Sequence, residues 1–335
     1  MAVKVGINGF GRIGRNFFRA AKTRGADIDF VAANDLLSVD LMAHLLKYDS
    51  ILGTWDAYIE VVGDGIKVNG DTLQILAERD PKALPWADLG VDLVVESSGI
   101  FADRDKAAMH LDAGAPLVIV SAPSKGADAT FVVGVNDDTF DPEQHKVVSN
   151  ASCTTNCFVP MVKILDDAFG VDRGLMTTVH AYTGTQALVD GPSKDLREAR
   201  AAAINVIPAS TGAARATNLV LEAMKGRLDG QALRVPVPDG SITDFTAILN
   251  RDVTAEEVNE AFRKASEEGP LSGGLVVYSE APIVSSDIVG SSASCTFDAP
   301  LTMAIGNLVK VLGWYDNEWG YSNRLVDLIE RIAGR

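Results

Sequence analysis

The first half of the chain alternates short apolar segments with stretches of helical periodicity. Segments that are rich in Val and Ile and apolar throughout are typical of strands buried on both faces of a parallel sheet. Between Tyr58 and Ala77, short alternating segments are broken by turn sequences, which predicts an antiparallel insert at the edge of the sheet. The predicted buried strands are Lys4–Asn8, Phe30–Asn34, Asp92–Ser97, Leu117–Ser121, Phe131–Val135 and Lys146–Ser149.

The pattern changes after Ala151, where longer strand-like segments follow a long helix. Helices are predicted at Cys153–Phe169, near Ala255–Ser266 and near Gly320–Ala333. Polar, glycine-containing connections between the strands indicate an α+β domain with a mainly antiparallel sheet. Residues 184–207 are expected to form a long ordered loop, a type of segment that usually has a function. The strand-like segments are Leu175–Ala181, Leu233–Asn250, Leu275–Ser279, Ser294–Ala299 and Leu308–Tyr315.

Length and composition indicate an ordinary globular protein with more than one core. At 335 residues the chain is longer than a single core usually is, so two domains are expected. The apolar fraction is 47%, yet no apolar run is long enough to span a membrane. The net charge of −15 argues against binding to nucleic acid or to an anionic membrane. Three cysteines, and an N-terminus that begins like a strand rather than a leader peptide, predict a cytoplasmic protein without disulfides.

The glycine motif near the N-terminus follows one predicted strand and precedes a helix. Gly9 permits a tight turn, Gly11 lets the backbone approach a pyrophosphate, and Gly14 allows close packing of the helix. Asp35 ends the next strand, about 20 residues further on, where an acid binds the adenosine ribose hydroxyls. The carboxylate would repel a 2′-phosphate, so NAD is favoured over NADP as the cofactor. The alternative is a plain glycine turn followed by a surface acid.

These features together predict a Rossmann-type α/β dinucleotide-binding domain and a second, α+β catalytic domain. The NAD-binding domain is expected at residues 1–151 and the catalytic domain at 152–315. Residues 316–335 are expected to form a C-terminal helix that returns to the first domain.

The sequence from Ser152 to Asn156 indicates a nucleophile. Cys153 follows a strand and opens a helix, and a helix N-terminus lowers the pKa of a thiol. Ser152 and Thr154 can present hydroxyls and amides to an anion at the same place. His180 ends the next strand, which could bring its imidazole to the thiol as a Cys–His pair. Cys157 and Cys295 are interpreted as core residues, and no metal site is expected because the cysteines lack further ligands at suitable spacing.

Polar residues of the second domain could bind phosphate groups. Arg234 and Arg215 supply positive charge, and Thr183, Thr211 and Gly212 supply hydroxyl or backbone donors. Taken alone, each of these residues would be expected to be a solvated surface group. The amide of Asn317 could orient a nicotinamide carboxamide.

Short segments along the whole chain closely resemble the phosphorylating glyceraldehyde-3-phosphate dehydrogenase family. The resemblance implies a homotetramer that uses NAD and inorganic phosphate to oxidise a phosphorylated aldehyde through a thioester. Cys153 and His180 would be catalytic. Arg12 and Ile13 would contact the pyrophosphate, Arg79 and Ser121 other parts of the cofactor, and Asn317 the carboxamide. The matching segments are Gly6–Arg15, His44–Ser50, Ser149–Cys157, Thr177–His180, Ser210–Ala214 and Trp314–Glu318.

The resemblance also implies two phosphate pockets. Thr183 and Arg234 resemble the pocket for the phosphate of the substrate. Ser152, Thr154, Thr211 and Gly212 resemble the pocket for the attacking inorganic phosphate.

Some residues depart from the family pattern. Arg215 replaces a lysine and keeps the charge, and Glu198 replaces an arginine of some bacterial members. Leu37 and Ser38 differ from the usual residues after the ribose-binding acid, which leaves the strictness for NAD open.

Three other functions fit parts of the pattern. A sister enzyme acting on erythrose 4-phosphate shares the nucleophile and the cofactor. A Cys–His hydrolase or a non-catalytic NAD-binding module would each use only part of it.

Overall fold

The computed structural model of the protein describes residues 2–333, which form two compact units. The first unit contains the residues up to 131, residues 139–151 and the chain from 322 onward, and the second contains residues 132–138 and 152–321. Along the described chain, no helix combines the length and the apolar character needed to cross a membrane.

A mixed sheet forms the centre of the first unit. Within residues 2–333 it has nine strands, in the order β3-β4-β5-β2-β1-β6-β7-β9-β8. Its strands are β1 (Val3–Asn8), β2 (Ile28–Asn34), β3 (Ile59–Val62), β4 (Gly65–Val68), β5 (Asp71–Leu76), β6 (Leu93–Glu96), β7 (Val118–Val120), β8 (Ala129–Thr130) and β9 (Val147–Ser149). Only the pairs that β4 makes are antiparallel, so the predicted insert at the sheet edge is confirmed.

The helices of the first unit connect parallel strands. Helix α1 begins at Arg12, within the glycine motif, and is followed by Gly25, which adopts the left-handed conformation common after helix ends. The helices are α1 (Arg12–Arg24), α2 (Val39–Lys47), α3 (Trp86–Leu89), α4 (Arg104–Ala107) and α5 (Met109–Asp112), with a short 3-10 turn at Pro81–Ala83. Another 3-10 turn, Asp137–Thr139, lies where the chain passes from the second unit back to the first.

The predicted strand at Phe131–Val135 is wrong. Strand β8 pairs with β9, and the last hydrogen bond of this pairing runs from the Phe131 N–H to the Ser149 carbonyl oxygen. Beyond it, side chains accept the backbone N–H groups that a strand would pair. The Asn136 Oδ1 accepts from Val132 N–H at 2.9 Å, and the Asp137 Oδ1 accepts from Gly134 N–H at 2.6 Å. A turn forms instead of a strand.

The second unit contains a mainly antiparallel sheet. Among the described residues it has eight strands, seven of which follow the order β11-β12-β10-β13-β17-β15-β14, while β16 pairs with β17. Only the β10–β12 and β14–β15 pairs are parallel. The strands are β10 (Val171–Ala181), β11 (Ile207–Ser210), β12 (Leu228–Val235), β13 (Ser241–Leu249), β14 (Val276–Ser279), β15 (Cys295–Asp298), β16 (Met303–Ile305) and β17 (Leu308–Tyr315).

Helices of the second unit pack on one face of this sheet. The helix predicted at Cys153–Phe169 is confirmed with those bounds. The helices are α6 (Cys153–Phe169), α7 (Ala213–Val220), α8 (Ala255–Glu267) and α9 (Ser285–Ile288), with 3-10 turns at Ala202–Ile204, Glu222–Met224 and Ala299–Leu301. The last helix, α10 (Trp319–Ile332), begins in the second unit and belongs to the first unit from Ser322 onward. The strand-like segment Leu233–Asn250 is in fact parts of two strands, because Pro236 and Pro238 have no N–H to donate to a ladder.

A tight contact joins α6 to the sheet at Gly313 of β17. A Cβ at Gly313 would lie 2.5 Å from Cys295 Sγ, 2.7 Å from Met161 Sδ and 3.2 Å from Cys157 Sγ. All three neighbours are completely buried, so none can move into solvent. Only a residue without a side chain lets α6 approach β17 this closely.

We therefore expect Gly313→Ala to destabilise the protein by about 1–3 kcal/mol, the usual cost of overpacking a core. Urea unfolding of the purified chain measures this loss. Gly191→Ala is the matched control, because its added Cβ would meet its nearest neighbour, the Val189 carbonyl oxygen, at an ordinary 3.6 Å. Equal stability of the two variants would contradict the close contact.

Candidate active site

Cys153, the candidate nucleophile, is the first residue of α6, and Ser152 caps the start of this helix. The Ser152 hydroxyl oxygen accepts the Thr155 N–H at 3.1 Å, as expected of a serine before a helix. Ala151, just before the cap, has φ of +56°, a conformation that costs a residue with a side chain about 1 kcal/mol or more. Strain of this kind is common where a chain must aim a reactive side chain.

The thiol and the imidazole predicted to pair do lie together. Cys153 Sγ is 3.4 Å from His180 Nε2, within hydrogen-bonding range for sulfur. On the other side of the ring, His180 Nδ1 is 2.6 Å from the Ala181 carbonyl oxygen. His180 Nδ1 lies between an acceptor, the Ala181 carbonyl oxygen, and a donor, Arg234 Nη1, so either tautomer of the ring finds a partner there. When the proton is on Nδ1, the Nε2 lone pair faces the thiol and His180 can act as a base toward Cys153.

Arg234 supplies a positive charge next to this pair. In the parallel β10–β12 ladder Arg234 lies opposite His180, and its Nη1 is 3.1 Å from the Ala181 carbonyl oxygen and 2.5 Å from His180 Nδ1. Burial and the Arg234 charge lower the pKa of His180 to about 3. Burial raises the pKa of the Cys153 thiol to about 11, although Arg234, the Thr154 hydroxyl and two backbone N–H groups act against that rise.

The raised pKa of Cys153 and the lowered pKa of His180 have the same cause, which is the cost of a single buried charge. A lone thiolate or a lone imidazolium is unfavourable here because each would be a buried charge. Transfer of the proton from Sγ to Nε2 creates both charges at once, close together, where their attraction offsets on the order of 5 kcal/mol of the cost at an effective dielectric constant near 20. The site therefore favours a charged pair over either charge alone.

Tyr315 is a site residue that the sequence interpretation missed. Its hydroxyl shares hydrogen bonds with the hydroxyls of Thr154, at 2.9 Å, and Thr178, at 2.8 Å. Its ring lies edge-on to the His180 imidazole, with centroids 5.9 Å apart. Burial raises the pKa of Tyr315, so it remains a neutral phenol. The signal was its position as the last inward residue of β17, where Val309 and Val311 are also buried.

The remaining phosphate-site candidates have more exposed positions. Thr183 lies half-buried after β10, with its hydroxyl 3.0 Å from that of Thr185. Thr211 and Gly212 precede α7, and the Thr211 hydroxyl oxygen accepts the Ala213 N–H at 3.2 Å. Arg234 Nε is buried and has no acceptor among the described residues, which leaves it available for an anion.

Two charged residues that depart from the family pattern lie in the second unit. Arg215 is exposed on α7, and Glu198 is half-buried in the long loop. Arg200 in the same loop is already paired with Asp190 at 2.8 Å.

In the first unit, the glycine motif forms a turn that side chains could not occupy. Gly9 has φ of +94°, and a Cβ there would lie 2.4 Å from the Ser98 backbone nitrogen. A Cβ on Gly14 would lie 2.2 Å from the Gly9 carbonyl oxygen. At Gly11, by contrast, a Cβ would meet nothing within 4 Å, so the backbone faces open space. Gly11 also caps α1 without any side chain, and half-exposed Ile13 lies in the first turn of that helix.

Two acidic side chains hold this region, Asp35 after β2 and Asp49 after α2. Asp35 Oδ2 accepts the Phe10 N–H at 2.8 Å, and Asp35 Oδ1 accepts the Leu37 N–H at 3.2 Å. The guanidinium of Arg12 makes two bonds to Asp49, at 3.0 and 3.3 Å. Although burial would raise the pKa of Asp49, hydrogen bonds from Leu52, Arg12 and Ile51 hold it below its usual value.

A buried polar network that the sequence interpretation missed lies beneath the glycine turn. Trp86 Nε1 can only donate, so His110 Nδ1 accepts its proton at 3.0 Å, and His110 Nε2–H donates to Glu96 Oε2, also at 3.0 Å. Glu96 also accepts from Asn8 Nδ2 and, through Oε1, from Ser98. The network joins the carboxyl ends of β1 and β6, where a dinucleotide would bind.

Two further cofactor candidates have weaker structural ties in the first unit. Arg79 is exposed, and its N–H donates to the side chain of neighbouring Glu78. Ser121 follows β7, and its N–H donates to the Glu96 carbonyl oxygen at 2.9 Å.

The side chain of Asn317, in the second unit, is buried, and among the described residues only its oxygen has a hydrogen-bond partner. The Ser241 hydroxyl accepts the Ala181 N–H at 3.0 Å, so its own proton goes to Asn317 Oδ1 at 2.7 Å. This contact identifies the oxygen of the amide. The Nδ2 group is buried and has no acceptor among residues 2–333. It is a donor of the kind that a carboxamide oxygen would satisfy.

Comparison with known families identifies both halves of the chain. Residues 3–104 match the family described as glyceraldehyde 3-phosphate dehydrogenase, NAD binding domain, and residues 152–317 match glyceraldehyde 3-phosphate dehydrogenase, C-terminal domain.

Curated relatives are similar over nearly the whole length. The chain is 59% identical to glyceraldehyde-3-phosphate dehydrogenase 1 of Streptomyces avermitilis, over 98% of each chain. It is 56% identical to glyceraldehyde-3-phosphate dehydrogenase of Geobacillus stearothermophilus, over 100% of this chain and 99% of the relative. It is also 56% identical to glyceraldehyde-3-phosphate dehydrogenase 1 of Bacillus subtilis, over 99% of each.

The contact between Cys153 and His180 predicts a change in thiol reactivity. We expect His180→Asn to shift the pH midpoint of Cys153 alkylation upward by on the order of one to two units, because a neutral amide cannot supply the opposite charge. The rate of iodoacetamide labelling as a function of pH measures the midpoint. The control is His44→Asn, which changes an exposed histidine of the first unit. An unchanged midpoint in His180→Asn would show that the imidazole does not assist ionisation.

Proposed function

Because the chain belongs to the glyceraldehyde-3-phosphate dehydrogenase family, we propose that its Cys153–His180 pair oxidises glyceraldehyde 3-phosphate to 1,3-bisphosphoglycerate with NAD and inorganic phosphate. The protein is an NAD-dependent oxidoreductase. The observation that carries the assignment of residues is the 3.4 Å contact between Cys153 Sγ and His180 Nε2 at the start of a helix. The sister reaction on erythrose 4-phosphate is not favoured by the names of the relatives.

The residues of the first unit fit the cofactor. The Gly11 backbone faces open space at the start of α1, where N–H groups and the helix dipole favour a pyrophosphate. Asp35 accepts the Phe10 N–H and is half-exposed, so its carboxylate can also accept from the ribose hydroxyls. We assign to Arg12, Ile13, Arg79 and Ser121 the further cofactor contacts that the family resemblance implies. The free donor of Asn317 suits the carboxamide oxygen of nicotinamide.

The first chemical step uses the two catalytic side chains. His180 Nε2 accepts the Sγ proton while Sγ attacks the aldehyde carbon, which forms a C–S bond and leaves negative charge on the former carbonyl oxygen. That oxygen is stabilised by the imidazolium and by N–H groups of the first turn of α6. The chemistry that bound NAD supplies is acceptance of a hydride from this carbon. Cys153 then holds an acyl thioester.

The second step needs two anions held side by side. We assign the phosphate of the substrate to Thr183 and Arg234, whose buried Nε lacks an acceptor. We assign the attacking phosphate to Ser152, Thr154, Thr211 and Gly212. Since the Thr154 hydroxyl is bonded to Tyr315, Thr154 would contribute its backbone N–H. A phosphate oxygen attacks the thioester carbon, the C–S bond breaks, and the thiolate leaves and recovers its pairing with His180.

We also propose a homotetramer, supported by the sheet face of the second unit opposite α6. That face has a pocket of about 700 Å³, lined by apolar side chains such as Leu175 and Leu308 and by charged side chains such as Arg173 and Lys310. Leu175 is 67% exposed, although it lies in the middle of a sheet. Exposed apolar surface of this kind is typical of subunit interfaces. Light scattering on the purified chain tests the proposal, and a stable monomer would reject it.

We also propose that the protein is located in the cytoplasm. The thiols of Cys153, Cys157 and Cys295 are all free, which favours a reducing compartment. Cell fractionation would test this, and recovery of the protein outside the cytoplasmic fraction would reject it.

The phosphate-dependent assay tests the proposed reaction directly. We expect NADH to form from glyceraldehyde 3-phosphate only when phosphate is present, with a lower kcat/KM for erythrose 4-phosphate and for NADP. Cys153→Ser should reduce turnover by at least about a thousandfold, because the hydroxyl is a far weaker nucleophile. Cys157→Ala, a buried thiol on the same helix, is the control and should retain activity.

Two results would contradict this assignment. Turnover by Cys153→Ser would remove the nucleophile, and NADH formation without phosphate would exclude the phosphorylating mechanism.

A further inference from the structure

Two buried acidic side chains, those of Asp239 and Asp316, share a hydrogen bond beside Asn317. Asp239 lies in the turn before β13, and Asp316 follows β17, and each is 1% exposed. Glu318, two residues further along, is 7% exposed. Burying several carboxylates together is costly if all are ionised, because each loses its hydration and repels the others. At least one of them is therefore expected to carry a proton.

Hydrogen-bond donors identify the protonated group. Asp316 accepts three backbone N–H groups, from Gly290 at 2.7 Å, Glu318 at 2.8 Å and Trp319 at 2.6 Å. Asp239 accepts one, from Gly240, and its Oδ2 finds no donor in the part of the chain described. Asp316 is thus the better-stabilised carboxylate, and Asp239 the one that can donate a proton to it. Burial, then the charges of Asp316 and Glu318, raise the pKa of Asp239 to about 8.

The same two segments carry the groups that hold Asn317. Asp239 is followed by Gly240 and Ser241, and the Ser241 hydroxyl donates to Asn317 Oδ1. Gly240 has φ of +85°, and a Cβ there would lie 2.2 Å from the Ser285 carbonyl oxygen, so this turn has little freedom to shift. On the other side, Asp316 is the neighbour of Asn317 in the chain. A proton shared between Asp239 and Asp316 would join the two segments on which the orientation of the Asn317 amide depends.

We propose that Ser241 and a protonated Asp239 are positioning residues, which hold the Asn317 amide so that its Nδ2 group is presented to the carboxamide of nicotinamide. The proposal rests on the proposed role of Asn317 as the nicotinamide ligand. Ser241 determines which end of the amide is free, and the Asp239–Asp316 pair holds the two segments together. Neither residue contacts the reacting atoms.

The proposal implies that alkaline pH weakens binding at the nicotinamide end. Loss of the Asp239 proton places a third negative charge beside Asp316 and Glu318. The charged residue of α9, the helix whose Ser285 lies against Gly240, is Asp287 rather than a cation. Because the pKa of Asp239 is higher in the folded chain than the value of about 4 expected in the unfolded chain, stability should fall as pH rises from about 4 to about 8. NAD affinity should fall around and above about pH 8, where the folded protein itself loses the proton.

The variant Asp239→Asn tests the effect of ionisation alone. The amide keeps a donor for Asp316 but cannot ionise, so the variant should not lose NAD affinity on going from about pH 6.5 to about pH 9. In the unaltered chain the affinity should fall by up to about tenfold, the factor by which the competent form is depleted one unit above the pKa. Calorimetric titration with NAD measures this loss, and titration with ADP-ribose, which lacks nicotinamide, should show no matching difference between the two proteins.

Three further measurements complete the test. The thermal unfolding midpoint of Asp239→Asn without cofactor should exceed that of the unaltered chain increasingly toward about pH 8. Asp244→Asn is the matched control, because this half-buried acid of β13 is paired with Lys310 at 2.6 Å, and it should behave like the unaltered chain. Ser241→Ala should weaken NAD binding at every pH and leave ADP-ribose binding unchanged.

The outcomes distinguish this proposal from the function on which it rests. If the unaltered chain and Asp239→Asn show the same pH dependence of NAD affinity, Asp239 does not position Asn317. If NAD and ADP-ribose weaken together, the effect is not at the nicotinamide end, and the proposal is again overturned. Failure of the unaltered chain to bind NAD at all would reject the proposed function itself, and the positioning role with it.

Discussion

The hydroxyl of Tyr315 joins the two elements that the chemistry depends on. It bonds to Thr154 in the first turn of α6 and to Thr178 on β10, two residues before His180. A helix start and a strand end that moved independently by 1 Å would separate the thiol from the imidazole. Because the phenol is buried and neutral, its two bonds do not compete with water. The distance between Cys153 and His180 is therefore a consequence of packing as well as of backbone connectivity.

The electrostatics of this site are those of a pair rather than of two independent groups. Arg234 favours the thiolate and disfavours the imidazolium, while burial disfavours both charges. An anionic substrate bound at Arg234 would neutralise part of that positive charge and thereby make protonation of His180 easier. Substrate binding and proton transfer are thus coupled through one guanidinium. A site of this kind is arranged to become reactive when it is filled.

The sequence predicted those features that depend on neighbours in the chain. Helix α6 was predicted with the observed bounds, because Ser152 caps its start and Gly170 follows its end. The strand predicted at Phe131–Val135 failed because the side chains of Asn136 and Asp137 accept its N–H groups, and an apolar run gives no sign of that competition. Long-range partners were also hidden. Tyr315, Ser241 and the Asp49 partner of Arg12 have roles defined by residues far along the chain, which no local pattern encodes.

Helix α1 starts without a side-chain cap, and this has a consequence for the protein in the cell. A helix capped by Gly11 begins without the side-chain acceptor that serine or aspartate would supply, and a bound pyrophosphate would take that place. The bound cofactor would then complete the cap of the helix, and the cap would be present only while the cell supplies enough cofactor. At a concentration one hundred times its dissociation constant, a ligand adds about 2.7 kcal/mol to the stability of the form that binds it. The lifetime of the folded chain would therefore follow the redox cofactor pool, and a cell depleted of dinucleotide would also hold less of the folded enzyme.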